Sequence, residues 1–476
     1  MSSAKSIFKN SVLVLFAKVA NAIFAFLTTI VVARYLGIEE YGNYIFIITV
    51  VTFIIMFADF GNFQILVREL SKSKDNMAGI VGTVFLLRFI VSAALLSIIF
   101  FIINYSNIDP LAKKCIYLVI IPTLFFALNT IFVAVFTAHN RFGFDALMQI
   151  LSKAGEFFAI IFIVIFKFGF VALFGGIAIV YMLNGFIGLF IYLKNYGVPV
   201  IKYDLDFWKF IIAESLPLIM VTFFTIGMVR VDIFVLQYFK DAKEIALFNT
   251  AHTFIYTLMI IPQSFVSVMY PVLCRLGERD NDRSVFAFGY KKAFKILYIV
   301  SLPLSIILIN QSDKIMQIVF GPKFSASAVA LKLMGLAVIF LFLGFLNSFS
   351  LVSLRKQKLI LASTVAAFLL NFAFDLLLIP KYGYIGASIA SGIGYFAFFA
   401  FSFYFVRKNL GQLNLSHTII RPFLGAICMI AFLTYFHNAS LFIVIPFSVT
   451  IYALGLVASG VFLDEDVKLM KSVIFR

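Results

Sequence analysis

Charge is the scarcest ingredient of this chain. Only 13% of its 476 residues are Asp, Glu, Lys or Arg, against about 25% in an ordinary soluble domain. Apolar residues make up 63%, aromatic residues 17%, and mean hydropathy is +1.07. A soluble globule has too little polar surface to cover so much apolar area, which excludes that class. Cysteine is almost missing as well. Cys115, Cys274 and Cys428 stand far apart with no CxxC spacing, which excludes a disulfide framework and a cysteine-based metal site. They read as packing residues. No Gly-Lys dipeptide occurs, so P-loop nucleotide hydrolysis is excluded and no cofactor is implied. Long hydrophilic stretches are missing too. The longest outer segment is 311–327 and the largest inner one is 275–292, neither of them enough for a domain.

What the chain has in abundance is long apolar runs. A membrane helix needs roughly 20 mostly apolar residues to cross the hydrocarbon layer. Fourteen such runs occur, near 11–33, 41–60, 79–103, 115–136, 146–166, 170–193, 210–237, 246–270, 293–310, 328–352, 359–379, 385–406, 420–436 and 441–463. The seventh and eighth carry the most polar groups. Lys5 and Lys9 precede the first run as in a signal peptide, but that run exceeds the 7–15 residues of a typical signal core. It is expected to be the first span. The expected fold class is an all-α polytopic membrane protein.

The net charge of +16 reads as orientation. With a cytoplasmic N-terminus, 24 Lys and Arg residues lie inside, 9 outside and 5 within spans. Inner loops then hold Arg68, Lys72 and Lys74, Arg275, Arg279 and Arg283, and Arg355, Lys356 and Lys358. This asymmetry follows the positive-inside rule and puts both termini in the cytoplasm. Nucleic acid is excluded as a partner, because no basic soluble domain exists.

An internal repeat is visible in the loops. KFGFV at 167–171 matches KYGYI at 381–385, and KNYG at 194–197 matches KNLG at 408–411, both with an offset of 214. Arg141 aligns with Arg355 at that offset, and EYGNY at 40–44 resembles EIALF at 244–248. The expected organisation is two pseudo-symmetric six-helix lobes, 1–200 and 201–411, with two further helices in 412–476. An even number of spans per half makes this a parallel repeat. Substrate sites in such folds lie between the halves near the midplane. In VVARYLGIEEYGNYIF (31–46), Gly37 and Gly42 permit a tight reversal, with Glu39 and Glu40 at its wet tip and Arg34 and Tyr35 at the interface.

Ionisable groups inside spans are costly and point to function. Helical spacing puts Lys18, Asn21, Thr28 and Thr29 within about one quadrant of the first span. Arg88 sits mid-span in the third. Gln149, Ser152, Lys153 and Glu156 share a face of the fifth, where Lys153 and Glu156 have the i, i+3 spacing of a pair. Glu214, Thr225 and Asp232 align in the seventh, with Arg230 turned elsewhere. The eighth shows Asn249, His252, Tyr256, Gln263 and Ser267 in one stripe, and the eleventh shows Thr364, Asn371 and Asp375. These stripes read either as the lining of a polar cavity or as hydrogen-bonding glue between helices. Cations in so apolar a protein suit a ligand with anionic phosphate and a hydrocarbon tail. Glu156, Glu214, Asp232 and Asp375 are candidates for proton or ion coupling.

ARYLGIEEYGNY (33–44), DFG (59–61), VREL (67–70), VDIFVLQYF (231–239), VFGPKFSASA (319–328) and LIPKYGYIGASIAS (378–391) carry a family likeness over almost the whole chain. The chain resembles the O-antigen (Wzx-type) polysaccharide flippases of the multidrug/oligosaccharidyl-lipid/polysaccharide superfamily. KDAKEIALF (240–248) departs from that pattern in lacking a glycine pair. The resemblance implies fourteen helices in two lobes around a cationic cavity. It also implies translocation of an undecaprenyl-pyrophosphate-linked oligosaccharide to the outer leaflet of the bacterial inner membrane by alternating access, with no catalytic residues. A polysaccharide polymerase and a chain-length regulator are the protein partners it suggests. By position, Lys18, Arg34, Arg88, Lys153 and Arg230 are the cations expected to meet the pyrophosphate. Two alternatives are a drug/cation antiporter of the same superfamily, which wants an acidic cavity, and a membrane glycosyltransferase or polymerase. The latter would use Glu39 and Glu40 as a metal motif but usually needs a long outer loop.

Overall fold

The computed structural model describes residues 2–72, 76–105, 109–277 and 283–461. Lys74 and Arg279 of the inner basic loops, and the tail after Val461, lie outside the described residues. The chain is an all-α polytopic membrane protein, with no strand among the described residues. It parts into two compact units, Met1–Gln237 and Tyr238–Arg476. In the first unit the helices are α1 Ser2–Leu36, α2 Ile38–Asp59, α3 Phe63–Lys72, α4 Met77–Tyr105 and α5 Pro110–Ala138. They continue with α6 Phe142–Ile165, α7 Phe170–Tyr196 and α8 Leu205–Phe239. The second unit opens with α9 Ala242–Thr257, α10 Ile260–Gly277, α11 Arg283–Asn310 and α12 Ser312–Val319. It closes with α13 Ser327–Gly335, α14 Ala337–Ser353, α15 Gln357–Leu410, α16 Ser416–Tyr435 and α17 Leu441–Ala458.

Twelve described helical stretches are long and apolar enough to cross a membrane. A thirteenth is the pair α13 and α14, bent by 48° at Leu336. α15 supplies one more. At 54 residues it is far longer than the roughly 20 that a bilayer needs. It is broken at Gly383, whose backbone leaves the helical region at φ 56°. Its two arms are the eleventh and twelfth runs of the sequence, so the count reaches fourteen. Large apolar side chains such as Phe100, Phe101, Phe162 and Phe442 face outward at more than half exposure, as lipid contact requires.

The division into units differs from the one read in the repeat. α8 packs with the first unit: Trp208 and Ile211 bury against Ile65 and Leu87, and the Trp208 indole donates to the Thr83 carbonyl at 3.0 Å. Phe53 meets the rings of Phe223 and Phe234 at 6.3 and 5.3 Å. The last two helices belong to the second unit, where the Tyr452 hydroxyl donates to the Ile299 carbonyl at 3.1 Å. A hydrophobic span must bury whichever face its neighbours complement, and that choice is not written in the loops.

The matched loops do share a backbone device. Gly169 and Gly383, equivalent in KFGFV and KYGYI, have φ 88° and 56°. With ψ of −178° and −132° they lie in regions that only glycine enters without a Cβ clash. Each marks the start of a helix that a partner side chain holds. The Gly169 amide donates to the Tyr35 hydroxyl at 3.1 Å, and the Tyr384 amide donates to Glu244 Oε2 at 2.6 Å. Gly197 and Gly411, in KNYG and KNLG, both close their helices near φ 81–82°. KDAKEIALF replaces glycine by another device: Asp241 caps α9 by accepting from the Glu244 amide at 3.0 Å.

Close backbone contact supplies a test of this packing. The Val200 amide donates to the Ala78 carbonyl at 2.9 Å, and a Cβ on Gly82 would lie 2.0 Å from the Val200 carbonyl oxygen. Gly82→Val is expected to push residues 198–201 off α4 at a cost of about 1–3 kcal/mol. Thermal unfolding in detergent reads this as a lowered midpoint; an unshifted midpoint would contradict the contact.

Candidate functional site

The polar residues of the spans separate into a cavity, a buried ion pair and scattered single sites. The cavity belongs to the first unit and has a volume of about 300 Å³. Asn21 of α1, Asn129 and Thr130 of α5, Asp145, Gln149, Ser152 and Lys153 of α6, and Asn184 of α7 line it, with Phe63 and Phe126. α6 contributes most because its polar residues recur at i, i+3 and i+4 along the stripe that faces α1 and α7. The expected fifth-span face is thus found at the cavity, with Asn21 of the first span beside it.

Two short hydrogen-bond chains organise the lining. Asn184 Nδ2 donates to the Met148 carbonyl at 2.9 Å, and Asn184 Oδ1 accepts from Asn129 Nδ2 at 2.8 Å. Gln149 Nε2 donates to Asp145 Oδ1 at 2.8 Å, and Gln149 Oε1 accepts from Asn21 Nδ2 at 3.3 Å. Gly188 on α7 makes room for Asn129 Oδ1, which would lie 1.7 Å from a Cβ there. Lys153 is not an open cation: its ammonium donates to Glu156 at 2.8 and 3.1 Å. That pair has the i, i+3 spacing expected, with the Lys153 side chain 39% exposed and that of Glu156 11%.

Arg88 lies behind the cavity wall, hydrogen-bonded to the lining residue Thr130. The sequence placed it among the cavity cations; in the structure it is 1% exposed and held by side chains of its own unit. Its guanidinium pairs with Asp59 at 3.1 Å and donates to the Ala127 carbonyl at 3.0 Å, to Asn62 Oδ1 and to the Thr130 hydroxyl. Thr130 in turn donates to Asp59 at 2.6 Å. The DFG motif makes the break that permits this. Phe60 and Gly61 turn left-handed at φ 55° and 60°, which ends α2 at Asp59 and starts α3 beyond Asn62. The VREL motif is also an ion-pair site. Arg68 bridges Glu69 at 2.9 Å and Glu214 at 3.0 Å, both on an exposed surface. Glu214 is therefore an exposed partner of Arg68 and does not line the cavity.

The remaining candidates are dispersed. Lys18 and Arg34 are exposed on α1, and Lys18 lies one turn before Asn21. Arg230 is half-buried and Asp232 fully buried on α8. In the second unit Asn249, His252, Asn371 and Asp375 are buried, and Gln263 is half-buried. His252 Nε2 lies 2.7 Å from the Tyr395 hydroxyl, and Asn249 donates to Thr253 at 3.2 Å. The stripe from Asn249 to Ser267 crosses the short break between α9, which ends at Thr257, and α10, which starts at Ile260. Glu39 and Glu40 are exposed in the first turn of α2, where negative charge suits a helix N-terminus. A second cavity, about 450 Å³, lies in the second unit and is lined by apolar residues, among them Phe254, Leu258, Ile315, Ile318, Leu441 and Phe442.

Asn129, Thr130, Asp145 and Asn184 were missed by sequence reasoning. The weight given to ionisable groups hid the three neutral ones, although a lone Asn inside an apolar run, as in FALNTIF and YMLNGF, is a readable signal; Asp145 fell just outside the fifth apolar run, 146–166.

Fold and cavity together define a class: a polytopic helical membrane protein with a polar pocket inside its bundle. The chain belongs to the polysaccharide biosynthesis protein family, whose profile matches residues 7–276. It is 23% identical over 402 residues to a candidate O-antigen transporter of Shigella flexneri, covering 82% of this chain and 94% of that protein. An uncharacterized membrane protein of Methanocaldococcus jannaschii is 29% identical over 181 residues, which span 37% of this chain and only 34% of that protein. The solved structure of the lipid II flippase MurJ in an inward closed conformation has the same fold. It superposes at a TM-score of 0.79 with 16% identity, over 98% of this chain and 100% of that one.

Proposed function

We propose that the chain is a flippase for a lipid-linked oligosaccharide, and that its substrate is an undecaprenyl-pyrophosphate-linked repeat unit for O-antigen or another surface polysaccharide. The observation that carries this reading is a polar, amide-lined cavity inside an otherwise lipid-facing bundle of the polysaccharide biosynthesis family. A sugar headgroup needs such a pocket to cross a hydrocarbon layer, and the polyprenyl tail does not. Likeness to the Shigella flexneri protein along nearly the full length of both chains supports it.

In this reading the chain carries out no bond chemistry. It works by alternating access in the bacterial inner membrane with both termini cytoplasmic, beside a polymerase and a chain-length regulator. Lys18 is the foremost cation for the pyrophosphate, because it is exposed on α1 one turn from the cavity. Arg34 and Arg230 are further candidates by position, and Arg88 and Lys153 each hold a carboxylate. Asp232, Asp375 and Glu156, all buried, are the candidate acids for coupling transport to an ion gradient.

One observation favours a second reading, a cation-coupled drug antiporter. Asp145 and Glu156 outnumber Lys153 at the cavity, so its field is not basic. Complementation separates the two. In a strain lacking its own flippase, with lipid-linked sugars of several kinds accumulating, expression is expected to restore surface polysaccharide. Failure on every sugar, together with raised resistance to cationic drugs, would replace the flippase reading by the antiporter.

A further inference from the structure

We propose that the end of the second unit formed by segments 275–295, 355–358 and 407–421 is a binding site for anionic phospholipid headgroups of the leaflet it meets. The inference is independent of the flippase reading.

Charge balance carries it. Those three segments hold twelve Lys and Arg against three Asp and Glu, a surplus of nine. Their equivalents at the 214 offset, 61–81, 141–144 and 193–207, hold six against four, a surplus of two. The positive-inside rule acts on both units alike, so it does not account for the difference. First-unit cations are also engaged within their own unit. Arg68 and Lys72 pair with Glu69 at 2.9 and 3.1 Å, and Arg141 donates to Asn195 Oδ1 at 2.8 Å while its guanidinium lies over the Tyr196 ring.

Packing brings the second-unit cations to one rim. α14 and the second arm of α15 run parallel, with Phe340 against Phe396 at 5.0 Å and Asn347 Nδ2 donating to Ser402 Oγ at 3.0 Å. Lys356 and Lys358 follow Asn347 by about as many residues as Arg407 and Lys408 follow Ser402, so the four stand near one level. Arg283 joins them by donating to the Asn409 carbonyl at 2.8 Å. All five side chains are exposed. The turn that carries Lys356 is built into the backbone. Arg355 closes α14 at φ 58°, and the Arg355 and Lys356 amides donate to the Val352 and Leu351 carbonyls at 2.9 and 2.8 Å.

The depth of the rim selects the anion. Exposed Tyr404 lies one turn before Lys408, and exposed Phe288 lies under the Lys292 ammonium at 5.2 Å. Aromatic side chains collect at the headgroup level of a membrane. A phospholipid offers a phosphate to the cations through charge-assisted hydrogen bonds and hydrocarbon to the aromatic faces below them. An acidic protein offers the charge alone.

The test uses the full chain in phosphatidylcholine nanodiscs. Spin-labelled phosphatidylglycerol is the probe, and spin-labelled phosphatidylcholine is the reference. The immobilised fraction of each label gives their relative affinity. In the unaltered protein phosphatidylglycerol is expected to bind about ten-fold more tightly, the scale of one or two cations near a phosphate. High salt is expected to reduce that preference, because the rim is exposed. Lys356→Gln combined with Lys358→Gln is expected to erase most of it. Should this variant fail to fold, Arg407→Gln with Lys408→Gln carries the same expectation. Lys194→Gln with Lys202→Gln removes the same charge from the first unit and is expected to leave the preference unchanged. Equal loss in the first-unit and rim variants would reduce the effect to the general field of the protein and overturn the site. So would the absence of any preference for phosphatidylglycerol in the unaltered protein. Polyprenyl diphosphate that binds in a rim-dependent way, where phosphatidylglycerol does not, would make the rim a substrate dock; that overturns the proposal and leaves the flippase reading standing.

Discussion

Replacing Arg88 with leucine is expected to destabilise the first unit by about 3–5 kcal/mol, the usual cost of removing one member of a buried ion pair. Total stabilities run about 5–15 kcal/mol, so much of the protein should fail to accumulate folded. The loss strands Asp59, Asn62 and the Thr130 hydroxyl at once, where α2 breaks into α3. Because a buried pair is often replaced by uncharged groups at little cost, Asp59→Asn combined with Arg88→Met is expected to recover about half of the loss or more. Chemical unfolding in detergent measures both. A stable but transport-dead Arg88→Leu protein would overturn the structural role and return Arg88 to the substrate cations.

The second large effect concerns Lys153. Lys153→Met leaves the Glu156 carboxylate, only 11% exposed, without its cation. Export of polysaccharide is expected to fall by about ten-fold or more, since an uncompensated buried charge costs well over 1.4 kcal/mol. Adding Glu156→Gln removes the stranded charge. The double variant is expected to return to within a few-fold of normal export, with membrane levels checked in parallel. If Lys153 grips the pyrophosphate, the double variant stays inactive although folded. This cycle distinguishes a neutralising lysine from a ligand-binding one, which inspection of α6 alone cannot do.

Both predictions turn on a limit of reading charges along a chain. Arg88 and Lys153 each look like an intramembrane cation in need of an anion. In each case the anion is supplied by the protein. Glu156 was readable because a helix repeats every 3.6 residues and its spacing from Lys153 is local. Asp59 was not, because it reaches Arg88 across two helices and a left-handed turn, which no periodicity encodes.

The sequence alone determined the all-helical, fourteen-run membrane plan, the loop glycines that repeat at an offset of 214, and the polar face of α6. These rest on local physics: hydropathy over a bilayer's width, the φ angles that only glycine reaches easily, and helical period. The tertiary structure alone decided that α8 packs with the first unit, that Arg88 is bound to Asp59, and that Asn129 and Asn184 join α6 at one cavity. Those outcomes depend on which faces of distant helices meet. Contact between faces is a property of the packed bundle and has no period in the chain.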